Sequence, residues 1–219
     1  MIVLNWFKNI LVFLIVASAS LGVAQERTVD VDVVLIGGGI MSATLANLLH
    51  ELDPTLKIEI YERLPNLAFE SSAALNNAGT GHAALSELNY TPELPDGTID
   101  VSKAILINEQ FETSKQFWSY LTAHGKLGNP EEFIHPVPHL SWVHGQKNVD
   151  FLKKRYEALK KLSLFKDMQY TENPAILRQW MPVIMDGRKL SEPMAATRSF
   201  LGTDVDYGRL TTLLFENII

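Results

Sequence analysis

The stretch from residue 29 to residue 62 constrains this chain more than any other. VDVDVVLI at 29–36 alternates and then becomes wholly apolar, which predicts a strand entering a core. Gly37, Gly38 and Gly39 form a tight turn, and Ile40 to Leu52 carries apolar residues at Ile40, Ala43, Leu45, Leu48 and Leu49, as in a helix laid on a sheet. Asp53 and Pro54 stop that helix, and KIEIYE at 57–62 alternates again as a second strand. In such a unit Gly37 lets the chain turn, Gly39 lets backbone approach a pyrophosphate, and N–H groups at the helix start bind its oxygens. Ser42 stands at the third position of the G-x-G-x-x-G pattern and is small enough for close helix packing. Glu62 ends the second strand, where a carboxylate accepts the ribose hydroxyl hydrogens of an adenosine moiety. A glycine triplet alone fits a simple turn equally well; within this strand–helix–strand frame it predicts dinucleotide binding.

Flavin and nicotinamide cofactors share those features and separate downstream. RLPNLAFESSAALNN at 63–77 holds no immediate third strand, and a loop of this kind can run back over a diphosphate toward a flavin ring. Ser71, Ser72, Asn76, Asn77, Gly79 and Thr80 supply backbone N–H and neutral side-chain groups suited to ribityl and phosphate oxygens. The run NNAGTGHAAL at 76–85 has a plainer reading as a turn, since Asn and Gly tolerate unusual backbone angles.

Composition narrows the partners. With 19 Lys and Arg against 25 Asp and Glu, the net charge of -6 gives no general basis for binding nucleic acid. The absence of Cys excludes disulfides, thiolate catalysis and cysteine-held iron–sulfur clusters. Residues 1–24 stand apart: Lys8 precedes an uncharged run from Asn9 to Gln25 that reads either as a secretory leader or as an uncleaved membrane anchor.

Further along, Asp100 or Ser102 caps a helix expected over Lys103 to Ala123, with Ile107, Phe111, Ser114, Trp118 and Leu121 on one side and His124-Gly125 at its end. Phe117 and Trp118 read as core rather than as flavin-stacking groups. EFIHPVPHLSWVHG at 132–145 is interrupted by proline and predicts short extended pieces. A second helix is expected from Asp150 through Leu162, with Leu152, Tyr156 and Leu159 as its apolar stripe and Lys153, Lys154, Arg155, Lys160 and Lys161 on a solvated basic face, followed by Lys166. Asp204 and Asp206 have metal-like spacing without an oxygen-rich loop around them, so turn and capping roles are expected and no metal site is assigned.

Several stretches together resemble the malate:quinone oxidoreductase family of flavin-dependent dehydrogenases: VVLIGGGIMSATLANLL at 33–49, YER at 61–63, SSAALNNAGTGHAALSELNYTP at 71–92, NVDFLKKRYEAL at 148–159, WMPVIMDGR at 180–188 and AATRSFLGTDVDYGRLT at 195–211. The resemblance implies an α/β chain with a Rossmann-type FAD-binding portion at 29–101 and an incomplete, mixed α+β substrate-domain portion at 102–219, about the first half of the usual family length. It implies FAD as cofactor and adds Arg63 to the cofactor-binding set. It also implies oxidation of L-malate to oxaloacetate, electron delivery to a membrane quinone, and peripheral contact with the bilayer, for which the lysine-bearing helix is a candidate. Arg188 and Arg198 are the candidate ligands of the two malate carboxylates, because a guanidinium binds a carboxylate through paired charge-assisted hydrogen bonds. His82 is the first candidate for the proton acceptor, with a loop-shaping hydrogen bond as its alternative role; His139 and His144 are less specific. An FAD-dependent 2-hydroxyacid oxidase and a noncatalytic nucleotide-binding or membrane-associated scaffold are the competing readings.

Overall fold

The glycine-bearing crossover forms as its pattern predicts. In the computed structural model, which describes residues 30–218, β1 (Val33–Ile36) leads through α1 (Ile40–Leu52) into β2 (Ile58–Tyr61). The two strands pair in parallel, with Val33 opposite Ile58 and Ile36 opposite Tyr61. The expected strand from residue 29 is confined to Val33–Ile36, because the partner strand that gives it a ladder begins only at Ile58. Residues 30–32 lie outside helices and strands, and the leader or anchor expected at 1–24 lies outside the described residues.

Next comes α2 (Ser102–Ala123), close to its expected bounds. Asp100 Oδ1 accepts from the Ser102 N–H at 2.9 Å near its start. At its end Gly125 takes a φ of 70°, which lets the Lys126 N–H reach the Leu121 carbonyl at 2.8 Å and the Gly125 N–H reach that of Thr122 at 3.0 Å. This is the left-handed glycine stop that the His-Gly pair signals. Ala104, Asn108, Phe111, Trp118 and Leu121 face the core, and Trp118 meets Phe111 and Phe133 edge to face at 6.1 and 5.9 Å. Trp118 is therefore core, with Phe117 half-buried against the same cluster.

The proline-interrupted stretch gives β3 (Ile134–Pro136) and β4 (His139–His144), followed by α3 (Gln146–Leu159), β5 (Gln169–Thr171), α4 (Pro174–Trp180), α5 (Pro182–Met185), β6 (Met194–Ser199), β7 (Thr203–Val205) and α6 (Tyr207–Glu216). β3 pairs with β7, and β4, β6 and β5 form an antiparallel sheet with β6 in the middle. One face of that sheet, with Val143 and Ala195, packs on Val149 and Leu152 of α3. The other, with Met194 and Ala196, packs on Leu177 of α4, Met185 of α5 and Met181 between them.

Two expectations about α3 need correction. It starts at Gln146 rather than Asp150, because Gly145, at φ 80°, supplies the break and its carbonyl accepts from the Val149 N–H, and it stops at Leu159 rather than Leu162, where the Leu162 N–H turns back to the Leu159 carbonyl at 2.9 Å. Arg155 does not belong to the solvated basic face. It is fully buried, on the same side as Val149, Leu152 and Leu159, whereas Lys153, Lys154, Lys160, Lys161 and Lys166 are exposed.

The chain then returns to its start. α6 packs on α1, where Ala43 and Ala46 leave room for close approach and Asn47 is fully buried. Asn47 Nδ2 donates to the Ala43 and Leu214 carbonyls, both at 2.8 Å, and Asn47 Oδ1 accepts from Asn217 Nδ2 at 2.8 Å. Among the described residues, no helix is long and apolar enough to cross a membrane.

Candidate functional site

Where β1 ends, the backbone builds a cradle. The Gly37 N–H, at φ 101°, donates to the Tyr61 carbonyl at 2.7 Å, which ties the turn to the end of β2. Glu62 follows, and its carboxylate accepts from the Leu64 N–H at 2.7 Å and the Gly38 N–H at 2.5 Å. Those two backbone donors, Leu64 first, hold the Glu62 carboxyl below the usual range for a glutamate. The chain then comes back over the turn: the Ala68 N–H donates to the Gly38 carbonyl at 2.9 Å, and the Ile40 N–H donates to Ser72 Oγ at 3.0 Å.

These contacts enclose a cleft of about 230 Å³ lined by residues 36–42, Glu62 and residues 68–72. Of the sequence-predicted cofactor residues, Gly37, Gly38, Gly39, Ser42, Glu62, Ser71 and Ser72 line it together. The cleft is shaped by missing side chains: a Cβ on Gly38 would lie 2.6 Å from Leu67 Cδ2 and 3.1 Å from Glu62 Oε2. It opens on the first turn of α1, where helix geometry leaves N–H groups without intrahelical partners. A narrow, glycine-walled space at a helix N-terminus with a carboxylate at the next strand end suits a dinucleotide diphosphate and its ribose.

Arg63, Asn76, Asn77, Gly79 and Thr80 lie outside that lining. Arg63 is exposed beside Glu62. The two asparagines brace the loop from within: Asn76 Nδ2 donates to the Glu70 carbonyl at 3.0 Å and Asn77 Nδ2 to the Ser71 carbonyl at 3.2 Å, while Asn77 Oδ1 accepts from the Gly79 N–H at 2.9 Å. The loop then lies along β7. The Val205 N–H donates to the Gly79 carbonyl at 2.6 Å, and the Gly81 N–H donates to the Thr203 carbonyl at 2.9 Å. Gly79 has φ 69°, and a Cβ there would run into Asp204; at Gly81 it would run into Thr203. The glycines of NNAGTGH thus allow close approach to β7, in addition to any contact with a ligand.

His82 ends this run with its side chain 59% exposed and Nδ1 3.1 Å from Glu87 Oε1. It does not line the cleft. Arg188 and Arg198 lie on one face of the β4–β6–β5 sheet. Arg198 alternates with Met194 and Ala196 along β6, and Trp142 pairs with Ala196 on that same face. The Arg198 guanidinium stacks on Trp180 at 4.2 Å and Phe200 at 4.5 Å, with Nη2 donating to Gln169 Oε1 at 2.8 Å. Arg188 stacks on Trp142 at 4.2 Å and donates from Nε to the Ile184 carbonyl at 2.7 Å. Asp206 has the capping role expected of it, Oδ1 accepting from the Arg209 N–H at 2.9 Å at the start of α6.

The sequence reading missed Glu87 and the burial of Arg155. Glu87 lies five residues beyond the histidine it meets, inside the resemblance-bearing stretch, and that spacing was the available signal.

Comparison with known proteins agrees with this geometry. The family model described as "Malate:quinone oxidoreductase (Mqo)" matches residues 29–219. A probable malate:quinone oxidoreductase of Geobacillus sp. (strain WCH70) is 57% identical over 194 residues, covering 89% of this chain and 38% of that protein. One from Pseudomonas putida, numbered 1, is 58% identical over 187 residues, covering 85% and 37%. The chain therefore spans less than two-fifths of the length of these relatives. Among solved structures, L-α-glycerophosphate oxidase of Mycoplasma pneumoniae with FAD bound superposes with a TM-score of 0.57 at 18% identity, over 87% of this chain and 44% of that one. L-proline dehydrogenase of P. horikoshii gives 0.56 at 16% identity, over 88% and 42%. These likenesses are of fold, and they share the α/β architecture expected from the sequence. With a glycine-walled cleft at the first crossover and the family model matched along essentially the whole described length, the chain belongs to the malate:quinone oxidoreductase family.

Proposed function

We propose that this chain is the FAD-binding and early substrate-domain part of an enzyme that oxidises L-malate to oxaloacetate and passes the electrons to a membrane quinone. The observation that carries the reading is the cleft at the β1–α1 turn, closed over by Ser71 and Ser72 and flanked by Glu62, in a chain of this family. Residues 29–101 form the FAD-binding portion and 102–219 the beginning of the substrate domain. FAD, when bound, supplies the two-electron chemistry.

The protein's own groups have separate tasks. The N–H groups of Gly37, Gly38 and Ile40 are engaged by Tyr61, Glu62 and Ser72, so those of Gly39, Met41 and Ser42 bind the diphosphate, and Glu62 holds the adenosine ribose, with lone pairs to spare beyond its bonds to Gly38 and Leu64. Arg63, Ser71, Ser72, Asn76, Asn77, Gly79 and Thr80 complete the cofactor-binding loop, several of them by fixing its path rather than by direct contact. Arg188 and Arg198 each bind one malate carboxylate, their guanidinium planes already oriented by Trp142 and by Trp180 with Phe200. His82 accepts the hydroxyl proton at Nε2 as C2 becomes a carbonyl carbon. Attachment at the bilayer surface follows from a lipid-dissolved acceptor, and the exposed lysines of α3 are the face offered for it.

The test is anaerobic: the FAD-loaded protein at the length of its relatives should lose its oxidised-flavin absorbance on addition of L-malate. Stoichiometric FAD binding without reduction by any dicarboxylate would remove the malate assignment. Rapid oxygen consumption without quinone would favour a 2-hydroxyacid oxidase instead.

Arg188→Ala and Arg198→Ala separate the carboxylate ligands. Each is expected to raise the KM for malate by roughly tenfold or more, the effect of losing about 1.5–3 kcal/mol of charge-assisted hydrogen bonding. Unchanged constants in both variants would take the two arginines out of the substrate site.

A further inference from the structure

Arg155 and Glu87 carry a role that the cofactor and substrate contacts leave unused. The Arg155 guanidinium is fully buried, yet the hydrogen bonds it makes run to uncharged groups: Nε donates to Thr91 Oγ1 at 2.9 Å, and Nη2 to the Ala84 carbonyl at 3.1 Å and the Leu85 carbonyl at 3.4 Å. Its Nη1 is buried without a hydrogen-bond partner. Burial pushes its pKa down to about 10, and the opposing charge that supports it is that of Glu87. It remains a cation at neutral pH.

The grip falls on three consecutive peptides. Asn108 Nδ2, from α2, donates to the Ala83 carbonyl at 2.8 Å, and Arg155, from α3, takes the next two. Ala84 has φ 56°, a left-handed backbone that costs a residue with a Cβ about 1–2 kcal/mol and persists where the surroundings hold it. Ser141 Oγ, from β4, then donates to the Ser86 carbonyl at 2.7 Å. The segment between His82 and Glu87 is thus held from α2, α3 and β4.

On that support the His82 Nδ1 and Glu87 Oε1 atoms lie 3.1 Å apart, the carboxylate side chain 16% exposed and the imidazole 59% exposed. Glu87 Oε2 accepts from the Ser86 N–H at 3.2 Å, which fixes the carboxylate's orientation. An ionised carboxylate can only accept, so the hydrogen of a neutral His82 sits on Nδ1 and the lone pair on Nε2 faces outward.

We propose that Glu87 and Arg155 are positioning residues for His82: Glu87 selects the Nδ1–H tautomer, and Arg155 holds the backbone of the loop that carries both. The proposal rests on reading His82 as the proton acceptor. When Nε2 takes the proton of the substrate hydroxyl, the resulting imidazolium stays beside a carboxylate whose own position is already set, the orienting arrangement seen wherever a histidine base is paired with an acid.

The experiment is a long-range proton–nitrogen NMR spectrum of the full chain labelled with nitrogen-15 histidine, at mildly alkaline pH, with His82→Asn identifying the signals among six histidines. Wild type should show a protonated Nδ1 and an unprotonated Nε2 at His82. Glu87→Gln, which keeps an acceptor oxygen, should retain that pattern, and Glu87→Ala should lose it while the far-ultraviolet circular dichroism stays unchanged. Arg155→Lys, keeping the charge but not the fork, should broaden or average the His82 signals.

A protonated Nε2 in wild type, or a Glu87→Ala spectrum identical to wild type, would overturn the proposal. In the FAD-loaded enzyme at the length of its relatives, Glu87→Ala should lower kcat about tenfold to a hundredfold with KM for malate little changed. If His82→Asn leaves malate-driven flavin reduction at the wild-type rate, His82 is not the base and the positioning role falls with it. The malate reaction itself is judged separately, by whether wild type is reduced at all.

Discussion

Arg155→Met should destabilise this chain by about 3 kcal/mol or more, the cost of leaving several buried acceptors without a donor. The carbonyls of Ala84 and Leu85 and the hydroxyl of Thr91 lose a donor in a place water does not reach, and each stranded buried group costs about 1–3 kcal/mol. The unsupported peptide at Ala84 is free to leave its left-handed conformation, which loosens the loop between His82 and Glu87. Against a typical total of about 5–15 kcal/mol, such a loss leaves a marginal protein. Urea unfolding followed by tryptophan fluorescence measures it, with Arg155→Lys expected between wild type and Met. A loss under about 1 kcal/mol would mean that water replaces the guanidinium and that the cage is not rigid.

Gly38→Val should abolish measurable FAD binding, by more than about a hundredfold or ~2.7 kcal/mol, while leaving the fold intact. Even the first added carbon meets Leu67 Cδ2 at 2.6 Å and the Glu62 carboxylate at 3.1 Å, so the branched side chain is expected to push aside the carboxylate and the loop that shape the cofactor cleft. Leu67 is the flexible end of a half-buried side chain and can move aside. The cost therefore falls on the ligand rather than on the core. Isothermal titration with FAD, alongside a thermal melt, separates the two effects. Undiminished affinity would place the cofactor elsewhere and remove the basis of the functional reading.

How much of this was legible in the sequence depends on how local the responsible physics is. The first crossover and α2 were readable because alternation, helical spacing, an Asp near the start and a His-Gly stop all act within a few residues. The start of α3 was misplaced because Asp150 resembles a cap, while Gly145 provides the break without a side-chain hydrogen bond to announce it. β6 has little contrast along it: five of its six residues are buried because helices cover both faces of its sheet, so period-two alternation disappears. Arg155 looked like one more member of a basic run. Its inward orientation is set by carbonyl oxygens about 70 positions earlier in the chain, and every residue carries a carbonyl. At the candidate site the cleft-lining glycines and Glu62 were recognisable by type and spacing. Glu87 stands only five residues from His82, a spacing that becomes a contact because the loop doubles back.

The docking of α6 on α1 has a kinetic consequence. The Asn47 amide nitrogen finds the Leu214 carbonyl 167 residues away, so the segment that walls one side of the first crossover is synthesised long after the crossover itself. Contacts of such sequence separation slow folding, because the intervening polymer must be closed before the pairing stabilises anything. On the ribosome, the helix of this crossover therefore waits without its Leu214 acceptor and with an uncovered alanine face until the segment around Leu214 emerges, an interval during which chaperone capture competes with closure.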